Sequence, residues 1–154
     1  MFKKILLGVF IGLIVGGIAI QFLPYGRDHT NPTANVEPQW DNQQTRDLVE
    51  RACFDCHSNQ TTWPWYSNIA PVSWLVQHDV QEGRSRLNFS QWSGPQREAF
   101  NAVRQVQSGA MPQPYYVMLH PTANLTPAEK QALIQGLQAT LGGGQFQGRT
   151  GTTN

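Results

Sequence analysis

The chain has 154 residues, room for one modest domain and an appendage. Only 14% of them are charged and the formal net charge is +1, which leaves no electrostatic footprint for nucleic acid or for strongly acidic partners. Gln and Asn carry much of the polar surface instead, and no internal repeat is visible.

At the N-terminus, Lys3 and Lys4 precede an apolar run from Ile5 to Ile20, extended past Gln21 by Phe22 and Leu23. At 1.5 Å per helical residue this run covers roughly 28 Å, close to the ~30 Å hydrocarbon core of a bilayer. It exceeds the ~7–15 residues of a signal-peptide core, and no A-x-A cleavage site follows it. Residues 1–23 therefore read as an uncleaved membrane anchor in preference to a cleaved signal. Keeping the lysines cytoplasmic sends everything after Pro24 to the exported side, the periplasm of a bacterium. Gly8, Gly12 and Gly16 form a small-residue ridge, which the general frequency of glycine in membrane helices is enough to explain.

Residues 24–39 are polar and carry Pro32 and Pro38, the composition of a linker holding a domain off the bilayer. The domain itself is expected over residues 40–141, with four helices and no alternating strand pattern. The first helix starts near Asp41, capped with Gln44 three residues on, and turns Leu48, Ala52 and Cys53 toward one side. It ends in Cys53-Phe-Asp-Cys56-His57. Residues three and four apart share a helical face, so both thiols and the imidazole can address one macrocycle. C-x-x-C-H attaches a c-type haem through two thioethers, with the histidine as an axial ligand to iron. A structural zinc would need a fourth ligand, and against a redox dithiol stand the following His57 and the lack of a βαβ pattern. The motif takes both cysteines of the chain, so none remains for a structural disulfide.

Trp63, Trp65, Tyr66 and Trp74 crowd the stretch after the motif. Such rings either fill a core or pack on a porphyrin edge and donate a hydrogen bond to a propionate, a role assigned to Trp63 and Tyr66. The second helix opens at Pro71, places Val72, Leu75, Val76 and Val80 on one stripe, and closes at Gly83. Arg84 and Arg86 are candidates for pairing with propionates. His57 needs a backbone carbonyl for its second ring nitrogen, expected from the loop around Pro64. The third helix opens at Pro95, buries Ala99, Phe100, Val103 and Val106, and stops at Gly109.

Gly109-Ala-Met111-Pro112-Gln-Pro114 follows as an extended segment. Proline holds its predecessor out of the helical region, leaving the Met111 thioether free to project as the sixth ligand, a pairing with histidine that raises the reduction potential. His78 and His120 are alternative ligands, an open sixth position is a further one, and Met118 reads as a packing residue. The fourth helix begins with the capping box Thr126-Pro127-Ala-Glu129, carries Leu133, Ile134, Leu137 and Leu141, and ends at Gly142. Residues 142–154, rich in Gly, Gln and Thr, read as a flexible tail.

A haem motif after an N-terminal helix, a late Met-Pro and a closing helix together resemble a class I cytochrome c. More narrowly, T-T-W-P-W-Y-S-N-I-A-P-V-S-W-L-V-Q-H-D-V, then G-R and L-N-F-S, resembles the small bacterial family of haem-binding domain proteins, over about Asp41 to Leu141. The resemblance implies an all-α, cytochrome c-like domain around one covalent haem c, behind a transmembrane helix. Position by position, it puts the haem on Cys53 and Cys56, His57 on the proximal side, and Met111 at the Met-Pro position. The expected function is electron transfer with membrane or periplasmic redox proteins. A haem-based sensor with an exchangeable sixth position is the alternative. Asp55, Asp79 and Glu82 are isolated carboxylates, and no enzymatic constellation stands beside the haem motif.

Overall fold

A computed structural model describes residues 1–33, 36–94, 96 and 98–143. Among these the regular structure is helical: α1 (Phe2–Ala19), α2 (Gln43–His57), α3 (Val72–Arg86), α4 (Ala102–Ser108), α5 (Pro114–Leu119) and α6 (Pro127–Gly143), joined by four 3₁₀ turns. One isolated parallel bridge pairs Val36 with Gln91. The expected all-α class is the one observed. Together with a 3₁₀ turn over Ile20–Phe22, α1 makes a 21-residue helix long and apolar enough to cross a membrane, with none of it buried in the protein.

α2 is the central element. Its cap is Asn42, whose side chain accepts from the Thr45 N–H at 2.9 Å, not Asp41 with Gln44. Asp41 is instead engaged by Thr140 of α6, which donates to its carboxylate and accepts from its N–H. Leu48, Val49, Ala52 and Phe54 are buried along α2. Two glycines let its neighbours close on it. A Cβ at Gly83 of α3 would collide with the Cys56 carbonyl, and one at Gly136 of α6 with the Thr45 hydroxyl. This is why Gly83 lies inside α3, three residues before its end, where its sequence signature suggested a terminator.

Behind α2, the core joins Leu48, Val49, Phe54, Leu87, Phe89, Val106, Leu133, Ile134 and Leu137. Side chains as fully buried as Val49 and Leu133 each stabilise by about 1.5–3 kcal/mol. Phe89 is its aromatic hub, stacked with Trp92 and against Trp40 and Phe54. α6 begins with the expected capping box: Thr126 N–H donates to Glu129 at 2.8 Å, and Glu129 N–H to the Thr126 hydroxyl at 3.2 Å. Its apolar stripe is buried as expected, although the helix continues through Gly142 to Gly143.

Other expectations shift. In α3 the buried positions are Ser73, Gln77, Val80 and Gly83, while Val72 and Leu75 are exposed. Much of the anticipated apolar stripe thus faces away from the core. The segment before α4 forms a 3₁₀ turn (Ala99–Asn101) on which Phe100 is exposed and Ala99 packs on the core. The proposed start at Pro95 lies outside the described residues, as does the tail from residue 144. α4 ends at Gly109 in the left-handed conformation, φ 77°. The extended segment then lasts only to Gln113, because Pro114 starts α5 as its first residue. Met118, on α5, is exposed and does not pack in the core.

Residues 24–33 and 36–39 touch the domain at several points. Gly26 fits against Ser73 and Trp74, His29 stacks on Trp63 at 4.5 Å, and Asn31 donates to the Thr61 carbonyl. Glu37 receives Arg46 and Trp40, and Val36 exchanges backbone hydrogen bonds with Ser90 and Trp92.

Candidate haem site

The last turn of α2 brings Cys53, Cys56 and His57 to one wall of a cavity of about 350 Å³. Cavities from ~300 Å³ upward hold cofactor-sized ligands. α3 supplies Asp79, Glu82, Gly83 and Arg86, α4 supplies Gln105 and Val106, and the α4–α5 connection supplies Met111, Pro112 and Gln113. A smaller cavity of about 70 Å³ shares Asp55, Cys56, Asp79 and Tyr116 with it, and is otherwise lined by Val72, Leu75, Val76, Tyr66 and His120. The exposed apolar residues of α3 are thus the wall of a recess.

His57 is held by the segment that leaves α3. Its Nδ1 lies 3.0 Å from the Leu87 carbonyl. A carbonyl only accepts, so Nδ1 carries the hydrogen and Nε2 keeps its lone pair, the tautomer an axial ligand needs. The partner comes from Leu87 and not from the loop around Pro64. The Phe89 N–H donates to the His57 carbonyl at 2.8 Å, so one short segment holds both ends of the residue. Burial lowers the His57 pKa, opposed by its backbone hydrogen bonds, and favours the neutral ring. Burial also pushes both thiols up to about 12, which keeps them protonated.

The side-chain set fits a haem: two thiols, a neutral imidazole with a free Nε2 and a thioether border one space. Gln113 also borders the space; its buried amide oxygen has no hydrogen-bond partner of its own, and it is the amide NH₂, not that oxygen, that can donate to a propionate. Met111 is half-buried, and its N–H donates to the Gln105 carbonyl. His78 is exposed and lines neither cavity. His120 lines the smaller one, but both its nitrogens are engaged. Nδ1 donates to the Tyr116 carbonyl at 3.0 Å, which leaves Nε2 to accept from Tyr66 at 3.2 Å.

The aromatic and cationic candidates separate. Tyr66 lines the smaller cavity, whereas Trp63 lies under His29 and borders neither. Trp63 is thereby packed by the segment before α2, which its local sequence does not show. Arg84 is spent on the Ser58 and Thr30 carbonyls, Asn31 and Thr61, and borders neither cavity. Arg86 borders the larger one while paired with Glu82 at 2.6 Å. Two acid–phenol pairs escaped the sequence reading: Tyr116 donates to Asp55 at 2.7 Å and Tyr115 to Asp79 at 2.8 Å. Burial, then the carboxylate hydrogen bond, raises the pKa of each phenol. These pairs link α5 to α2 and α3, and Asp55, Asp79 and Tyr116 border both cavities.

Comparison with known proteins agrees with this geometry. A family model described as the haem-binding domain matches residues 15–139. No curated protein and no solved structure matches the chain.

Proposed function

The chain belongs to the haem-binding domain family, and on that premise we propose that it is a membrane-tethered monohaem c-type cytochrome that transfers electrons on the periplasmic side. The observation that carries this reading is the convergence of Cys53, Cys56, His57 and Met111 on one cavity, with the His57 tautomer set by Leu87.

Cys53 and Cys56 would hold the cofactor covalently, each through a thioether. His57 Nε2 and the Met111 sulfur would ligate its iron, and the α4–α5 connection carries Met111 to the cavity. Leu87 fixes the ring of His57. Ala102 and Val106 of α4, with Leu87, Phe89 and Leu137, supply the cavity's apolar lining, and Gln113 would offer its amide to the bound group. When bound, haem supplies one-electron chemistry at its iron, tuned by axial ligands, burial and hydrogen bonding. α1 anchors the domain beside membrane or periplasmic redox partners, whose encounters are small and transient. A net charge of +1 predicts a weak salt dependence for them.

Two measurements test the reading. Intact mass of the denatured protein, matured in an exporting bacterium, is expected to include one haem. The reduced protein is expected to be six-coordinate and low-spin and to bind carbon monoxide poorly. A bare polypeptide mass overturns covalent attachment. Rapid, complete carbon monoxide binding overturns the closed coordination and favours a sensor with an exchangeable position.

A further inference from the structure

We propose that the haem domain is seated directly on the bilayer, through an apolar face formed by Trp65, Ile69 and Val72. This rests on the reading of α1 as a membrane span.

The end of α1 is fastened to the domain at one point. Gln21 accepts from the Ala70 N–H at 3.0 Å and donates to the Ala70 carbonyl at 2.9 Å. The apolar run from Ile5 to Leu23 covers roughly 28 Å, so Gln21, two residues before its end, falls about 3 Å inside the boundary of a ~30 Å hydrocarbon core. Ala70 must then lie at the same depth. Ile69 is its direct neighbour and Val72 is two residues away, so their Cα atoms sit within roughly 8 Å of it. Trp65 stands on the 3₁₀ turn that leads into this loop.

Around Ala70 the fold leaves apolar surface uncovered: Trp65 is 76% exposed, Ile69 45% and Val72 41%, the last also bordering the smaller cavity. The stretch from Thr61 to Gln77 contains no Asp, Glu, Lys, Arg or His, so nothing there resists entry into a lipid interface. Exposed tryptophan beside aliphatic residues is the composition of that interface. The chain between the span and the domain is also too closely held to lift the domain away, since Gly26 lies against Ser73 and Trp74. The occupant of the face is therefore the bilayer that holds α1, and the anchor sets orientation as well as location.

The test uses the full-length haem-loaded protein in phosphatidylcholine–phosphatidylglycerol nanodiscs. A nitroxide on p-acetylphenylalanine replaces Trp65, Ile69 or, within α1, Val15 in separate variants, each checked for an unchanged haem spectrum. Power-saturation EPR then compares access by oxygen and by a water-soluble nickel chelate. The expected result is oxygen access at all three positions, with chelate access reduced several-fold relative to the free label in buffer. Chelate access at 65 and 69 with Val15 shielded overturns the seated domain while the anchor stands. Chelate access at Val15 as well removes the anchor and this inference together. Shielding of 65 and 69 from both reagents means that protein covers the face, which also overturns it.

Discussion

Replacing Gly83 by alanine sets two effects against each other at the helix contact that frames the site. Alanine is favoured over glycine inside a helix by about 1 kcal/mol, so α3 considered alone gains stability. The added methyl, however, would strike the Cys56 carbonyl oxygen and lie 3.0 Å from its carbon and 3.1 Å from its Cβ. The obstacle is backbone on α2, so the helices must part. Overpacking of this kind costs about 1–3 kcal/mol, and with little room to yield the upper half of that range applies. The net expectation for Gly83→Ala is a loss of about 1–2 kcal/mol. Parting α2 from α3 also moves Leu87 relative to His57, so the optical spectrum of the haem protein should change. Guanidinium unfolding in detergent, followed by circular dichroism, measures the first effect. Gly142→Ala is the control, because a Cβ there meets nothing within 4 Å and no loss is expected. An unfolding midpoint for Gly83→Ala at or above wild type, with an unchanged spectrum, would refute the close-approach argument.

Met111→Ala is expected to abolish the ferric thioether charge-transfer band and to admit carbon monoxide, whereas His78→Ala, at an exposed position outside both cavities, leaves both properties unchanged. An intact band in Met111→Ala assigns the sixth ligand elsewhere. Glu129 is lowered from 4.5 to about 2, first by the Thr126 backbone hydrogen bond and then by Arg51. A carboxylate held below its unfolded value stabilises above that value and loses the contribution as pH falls. The melting-temperature gap between wild type and Glu129→Gln should therefore be constant above pH 4.5 and shrink toward pH 2, and a gap that stays flat across this window contradicts the assignment. Leu133→Ala, at a fully buried position in the core, should cost about 2–5 kcal/mol in denaturant unfolding, and a cost under ~1 kcal/mol would mean that the site collapses to fill the space.

What the sequence disclosed was local chemistry. The box at Thr126–Glu129 and the stripe Leu133, Ile134, Leu137 satisfy their requirements within one helix, so they are readable in isolation, and the same holds for the placement of C-x-x-C-H on a helix end. Features that depend on a distant partner were hidden. Gly83 looks like a terminator until Cys56 is placed against it, and Leu87 carries no mark that its carbonyl will meet His57. Val72 and Leu75 follow a helical period as any core stripe does, although they face a recess. The contacts of His29, Asn31, Val36 and Glu37 fall on distant groups of the domain, backbone and side chain alike, which polar composition cannot foretell. α5 did have a signal, a proline at its first position after Gln113. Two prolines so close together favoured the extended reading.

The double hold on His57, carbonyl to the Phe89 N–H and ring to the Leu87 carbonyl, has a kinetic side. In the proposed cytochrome, a His57 ligand gripped at both ends would neither swing nor slip when the metal gains or loses charge. Little nuclear rearrangement would then accompany each change of oxidation state, and a low reorganisation barrier would let brief collisions with a partner succeed.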